Sequence, residues 1–204
     1  MLDFSNIQYH NKNSDTVVCI FTGWRWSCNS GWALQYFNAI IQQEISCVSF
    51  NYQHQDNKES RTMKEDWPKK GKYLVNQTIE FLSSVNLERY KKVIFLWTSS
   101  WWVACIKALH NSTVKPYKII ILGFLTGYVH SNDIQHPTTI IQWQYDKYWW
   151  IGVVKQELQH TVAPIEYYEI ANADHSYYDY QNPSIRYLDQ VIQIIKNIIQ
   201  KTHS

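Results

Sequence analysis

Short, continuous apolar runs alternate along this chain with longer stretches in which apolar residues recur every three or four positions. The runs Val17–Thr22, Cys47–Tyr52, Lys92–Leu96, Lys118–Leu122, Thr138–Gln142 and Glu166–Ile170 predict strands covered on both faces, with a weaker one at Ile7–His10. Between them, Trp32–Gln43 puts Leu34, Phe37, Ile40 and Ile41 on one helical face, and Lys72–Val85 does so with Leu74, Ile79, Phe81 and Leu82. Ser100–His110 and Ile151–Gln159 predict two more helices. The last, Pro183–Lys201, carries Ile185, Leu188, Ile192, Ile195 and Ile199 behind an Asn182-Pro183 start signal. The polar, charged segment Gln53–Lys70 predicts an exposed loop. Strand–helix–strand alternation implies an α/β fold: one domain over residues 1–204, a mostly parallel sheet, and helices on both faces.

Composition narrows the partners more than the fold. A charged fraction of 18% and a hydrophobic fraction of 45% describe a soluble globule. A net charge of +2 with no basic stripe gives no reason to expect nucleic acid or an anionic membrane. The polar start MLDFSNIQYHNKNSD has no signal-peptide pattern, and no run reaches membrane-spanning length, so a cytoplasmic protein is expected. Cys19, Cys28, Cys47 and Cys105 lack metal-like spacing and read as free thiols. His10, His54, His110, His130, His136, His160 and His203 form no H-x-x-x-H pattern, so no metal is assigned. TGWRWSCNSGW lies between a strand and a helix but lacks G-x-G-x-x-G and G-K-[ST], so no cofactor is assigned either.

In open α/β sheets, sites form beyond the C-terminal ends of the strands. There the chain places Ser99 after Leu96, Asp146 after Gln142 and His175 after Ile170. A serine hydroxyl becomes a useful nucleophile when an imidazole takes its proton and a carboxylate orients that imidazole. Alone, each residue has a plainer reading, Ser99 as a helix cap and the others as loop residues. Asp174 and Asp179 compete for the role of acid, although Asp174 adjoins the histidine and would generally point elsewhere.

VIFLWTSSWW, TTIIQWQYDKYW and EIANADHSYYDY together resemble the nucleophile turn, acid loop and histidine loop of the α/β-hydrolase superfamily, over nearly the whole chain. The resemblance implies an α/β-hydrolase fold with Ser99 as nucleophile, Asp146 as acid and His175 as base. The backbone N–H groups of Trp24, in IFTGWRWSCNSGW, and Ser100 would form the oxyanion hole. It implies cleavage of a small carboxylic ester or thioester, and Phe124–Pro137 is too short for a large lid.

The departure from the family is the tryptophans. The family turn is G-x-S-x-G because the strand and helix pass close to it, yet Trp97 and Trp101 flank Ser99 here. The chain holds ten Trp and only six Gly, where about 14 Gly would be usual. Trp24, Trp26, Trp32, Trp67, Trp97, Trp101, Trp102, Trp143, Trp149 and Trp150 are all expected at turns or element ends, where glycine belongs. The two counts together come to 16, which points to a gene that reads UGA as glycine, its codons here spelled as tryptophan. Restored, the turn reads G-T-S-S-G. If the tryptophans are genuine, the alternatives are a non-catalytic α/β-hydrolase-like binding protein or, more remotely, a Trp-lined carbohydrate-binding surface.

Overall fold

The computed structural model describes residues 7–21, 31–52, 63–98, 102–146 and 150–203, with backbone alone at 32, 63–70 and 203. Seven strands form one sheet: β1 (Ile7–His10), β2 (Thr16–Phe21), β3 (Ser46–Phe50), β4 (Lys92–Thr98), β5 (Lys118–Leu122), β6 (Thr138–Tyr145) and β7 (Ile165–Asp174). Their order is β1-β3-β2-β4-β5-β6-β7, with β1 antiparallel to β3 at the edge and every other pair parallel. All seven expected strands are present.

Alternation within each strand sends side chains to two separate cores. Val17, Cys19 and Phe21 of β2, with Phe95 of β4 and Ile119 and Ile121 of β5, face α2 (Met63–Ser84), α3 (Trp102–Leu109) and α4 (Ile151–Glu157). Val18, Ile20, Ile94, Leu96, Ile120 and Leu122 face α1 (Gly31–Ile41) and α5 (Leu188–His203). Helices therefore cover both faces, and β2 to β5 are buried almost throughout, which explains their unbroken apolar runs. From β2 the chain steps outward to β3, then returns across β2 to β4. That reversal puts the topological switch point between β2 and β4, whose C-terminal ends lie side by side.

Three expectations are corrected. The segment expected as a loop to Lys70 is helical from Met63, although Pro68 and Gly71 are helix breakers. It carries Trp67 inside a helix instead of in a loop. The final helix starts at Leu188, not at Pro183. The Asp179 carboxylate accepts the backbone N–H of Gln181 and Asn182, and Tyr178 bridges Arg186, so those residues are spent on a turn and Ile185 is exposed. Finally, Trp97 and Trp143 are interior strand residues, not element ends. Trp97 pairs with Phe21 and Ile121, Trp143 pairs with Ile170, and both are buried.

Between β5 and β6 the chain is short, with a single 3₁₀ turn at Ser131–Asp133. The two oxygens of Glu157 on α4 accept the Gly127 N–H at 3.0 and 2.9 Å, tying this connection down. No helix among the described residues is long and apolar enough to cross a membrane. Cys19, Cys47 and Cys105 are buried free thiols; burial pushes Cys105 up to about 12 and raises the other two as well.

Candidate active site

β6 and β7 run parallel and adjacent, so the residues beyond them emerge at the same end of the sheet. Asp146 follows β6 directly and its carboxylate is fully buried. His175 follows β7 directly, with its side chain 24% exposed. Asp146 Oδ2 lies 2.9 Å from His175 Nδ1. A buried carboxylate at that distance favours the proton on Nδ1, the tautomer that a base acting through Nε2 would need. Asp146 Oδ2 also accepts the Gln142 side-chain amide at 3.2 Å.

Both competing aspartates are committed elsewhere. Asp174 Oδ1 accepts the N–H groups of Ser176 and Tyr178 at 2.7 and 3.0 Å, which shapes the loop carrying His175. Asp179 caps Gln181 and Asn182 and accepts the Tyr187 hydroxyl at 2.7 Å. Those hydrogen bonds, the phenol's foremost, hold the Asp179 carboxyl below the usual carboxylate range.

The histidine loop is anchored from beneath. Tyr177 takes a left-handed backbone conformation, φ 69°, which is costly for a bulky residue. It is held there by burial and by the Tyr36 hydroxyl of α1, which donates to its own hydroxyl at 2.5 Å. Trp143 packs edge-on against both His175 and Tyr177, with ring centroids 5.3 and 4.9 Å away.

The imidazole reaches back across the sheet. A Cβ built on Gly123, the residue after β5, would lie 3.4 Å from His175 Cε1. The ring therefore spans from Asp146, beyond β6, to a point over the end of β5. The next strand in the sheet is β4, which ends at Thr98. Ser99, Ser100 and Trp24 lie outside the described residues; in sequence Ser99 immediately follows Thr98. Gly123 itself admits no side chain, since it has φ +74° and its Cβ would come within 2.5 Å of the Trp143 ring. Sequence reasoning passed over Gly123 and Gln142. The available signals were a glycine directly after an apolar strand and a lone amide inside one.

Trp97, Trp102 and Trp143 are buried, and none of their three indole N–H groups has a hydrogen-bond partner among the described residues. Buried tryptophan ordinarily pairs that group. Trp150 is 65% exposed. Among the described residues no cluster of three or more His, Cys, Asp or Glu could hold a metal ion.

No protein-family model and no curated protein matches this chain. Solved structures do. An α/β serine hydrolase homologue from Coxiella burnetii is 13% identical with a TM-score of 0.65, over 92% of this chain and 88% of that one. An α/β serine hydrolase without a lid from Xanthomonas campestris is 11% identical with a TM-score of 0.68, over 97% and 88%. Est1E from Butyrivibrio proteoclasticus, with ferulic acid bound, is 11% identical with a TM-score of 0.65, over 96% and 94%. At these identities the likeness is one of fold.

Proposed function

We propose, from the premise that this chain has the lidless α/β-hydrolase fold, that it is a serine hydrolase cleaving a small carboxylic ester or thioester through an acyl-enzyme on Ser99. The observation that carries the reading is the buried Asp146 bonded to His175, whose ring extends over Gly123 to within one strand of β4. In the proposed reaction, Ser99 Oγ attacks the acyl carbon while His175 Nε2 takes the hydroxyl proton. The backbone N–H groups of residues 24 and 100 receive the oxyanion. The acyl–oxygen or acyl–sulfur bond breaks, and His175 returns its proton to the leaving group. A water, deprotonated by the same imidazole, then releases the acid and restores Ser99.

The β5–β6 connection is too short to hold a large lid, which supports a small-molecule substrate. Tyr145, one residue before Asp146, stacks on Tyr180 at 4.7 Å, and both rings remain exposed. Est1E binds ferulic acid, an aromatic acid, so aryl-acyl esters belong in the first substrate panel beside short alkyl esters.

The reading includes glycine at the positions written as tryptophan, and the three buried indoles without partners among the described residues support it. The coding DNA must then carry UGA at these positions. A native peptide over residues 93–107 with tryptophan masses at 97, 101 and 102 would sink the recoding.

For the activity, the test is covalent labelling by a fluorophosphonate probe on the chain carrying glycine at all ten positions. Labelling that disappears in Ser99→Ala supports the assignment. No labelling of a chain that folds, or equal labelling after Ser99→Ala, leaves the non-catalytic binding protein as the reading.

A further inference from the structure

Gln142 is fully buried in β6, four residues ahead of Asp146, in a strand whose other buried residues are Thr138, Thr139, Ile140, Ile141 and Trp143. A buried amide in an apolar strand is costly unless its donors and acceptor are used. Its Oε1 accepts the backbone N–H of Phe124 at 2.8 Å, and its Nε2 faces Asp146 Oδ2 at 3.2 Å. The orientation of the amide is not free. The Phe124 N–H can only donate, so the atom facing it must be the oxygen, and the NH₂ must then face the carboxylate. Gly123 makes the arrangement possible. Its N–H reaches Ile141 O at 3.0 Å, and its left-handed φ turns the chain so that the Phe124 N–H meets Gln142.

We propose that Gln142 is a positioning residue that sets the orientation and the proton affinity of the Asp146–His175 pair. It acts on the oxygen that His175 itself uses, since Oδ2 receives both the imidazole and the amide. Two consequences follow from sharing one oxygen. The amide pins the carboxylate rotamer, so the imidazole is aimed before substrate arrives. It also draws on the negative charge of Oδ2, and removing the amide returns that charge to the contact with the imidazole. The link through Phe124 makes the β5–β6 connection part of the same support, because a shift of that backbone withdraws the partner that orients the amide.

The inference rests on the hydrolase reading only for its kinetic half, and the experiment separates the two. His175 is titrated by NMR in the form of the chain that folds cooperatively, with its signal assigned through His175→Ala. Gln142→Met removes donor and acceptor at similar volume. Gln142→Glu keeps the volume and an acceptor for the Phe124 N–H, and when ionised it places a second carboxylate against Asp146; each variant is read only where circular dichroism in urea shows that it folds cooperatively. Both should move the His175 titration to higher pH than in the parent, because each leaves more negative charge facing the imidazole. Both should lower kcat by about 10- to 100-fold with KM little changed, the size expected for one hydrogen bond to a charged group. Gln142→Glu should also add a new ionisation to the pH–rate profile. An unmoved His175 titration in both folded variants overturns the proposal, as does kcat within twofold of the parent. A raised His175 pKa in a protein that never labels with the fluorophosphonate probe would instead reject the hydrolase reading and leave the positioning role standing.

Discussion

Replacing all ten tryptophans by glycine separates the two spellings of this protein by its stability. Trp97 and Trp102 are wholly buried and Trp143 is 2% exposed. Truncating a buried Trp costs about 3–5 kcal/mol, and the three orphaned indole N–H groups place these at the low end of that range. Glycine in place of alanine adds about 0.5–1 kcal/mol in a strand or helix. If the tryptophans are native, the three replacements together remove roughly 10 kcal/mol, comparable to the whole stability of a domain, about 5–15 kcal/mol. Such a chain should show no cooperative transition. If glycine is native, the same replacements remove three buried donors that have no partner among the described residues. The ten-glycine chain should then unfold cooperatively and at higher urea than the chain as written. Far-UV circular dichroism in urea reads this directly, and it does not depend on the indole fluorescence that the replacement deletes. A ten-glycine chain without a transition, beside a tryptophan chain with one, refutes the recoding. It would also remove the ground for treating residues 97–101 as a nucleophile turn.

Two further outcomes test the site. Asp146→Asn should lower kcat by about 1,000- to 10,000-fold, because the amide no longer holds Nδ1 as the protonated nitrogen; steady-state kinetics on a p-nitrophenyl ester measure it, and a loss below tenfold would remove Asp146 from its role. Tyr187→Phe takes away the foremost cause of the low Asp179 pKa. A depressed carboxylate contributes stability above the ordinary aspartate range and loses it as pH falls through the folded-state value, so the variant should begin to acid-unfold at a higher pH than the parent, read by circular dichroism. An unmoved acid midpoint would mean that the Tyr187–Asp179 contact does not support the turn after His175.

What the sequence made legible was whatever depends on burial alone. The strands β2, β4 and β5 have both faces covered, so their apolar runs have no polar interruptions and stand out from the helices. The places of Asp146 and His175 at the ends of β6 and β7 were legible because a strand end can be counted along the chain. Features that depend on what one residue does for another were not legible. Pro68 and Gly71 read as breakers, yet the helix that contains them continues into a packed segment with Leu74, Phe81 and Leu82, and tertiary burial outweighs their local cost. Asn182-Pro183 is a sound start signal on its own, but the Asp179 carboxylate and the Tyr178–Arg186 bridge claim that stretch for the turn after the histidine.

Trp143 shows how the two kinds of error meet. Expected at a strand end, it is a strand residue whose ring covers Gly123 and lies edge-on to His175. The Gly123 backbone, the imidazole and Tyr177 thus converge on one side chain, while Gln142, its neighbour in the strand, reaches the carboxylate. With glycine at 143, the strand would keep Gln142 and Asp146 in register and leave the space beside His175 unfilled. The chemistry assigned to Asp146 and His175 needs that register but not the indole, so the pair can be tested in whichever spelling of the chain folds cooperatively.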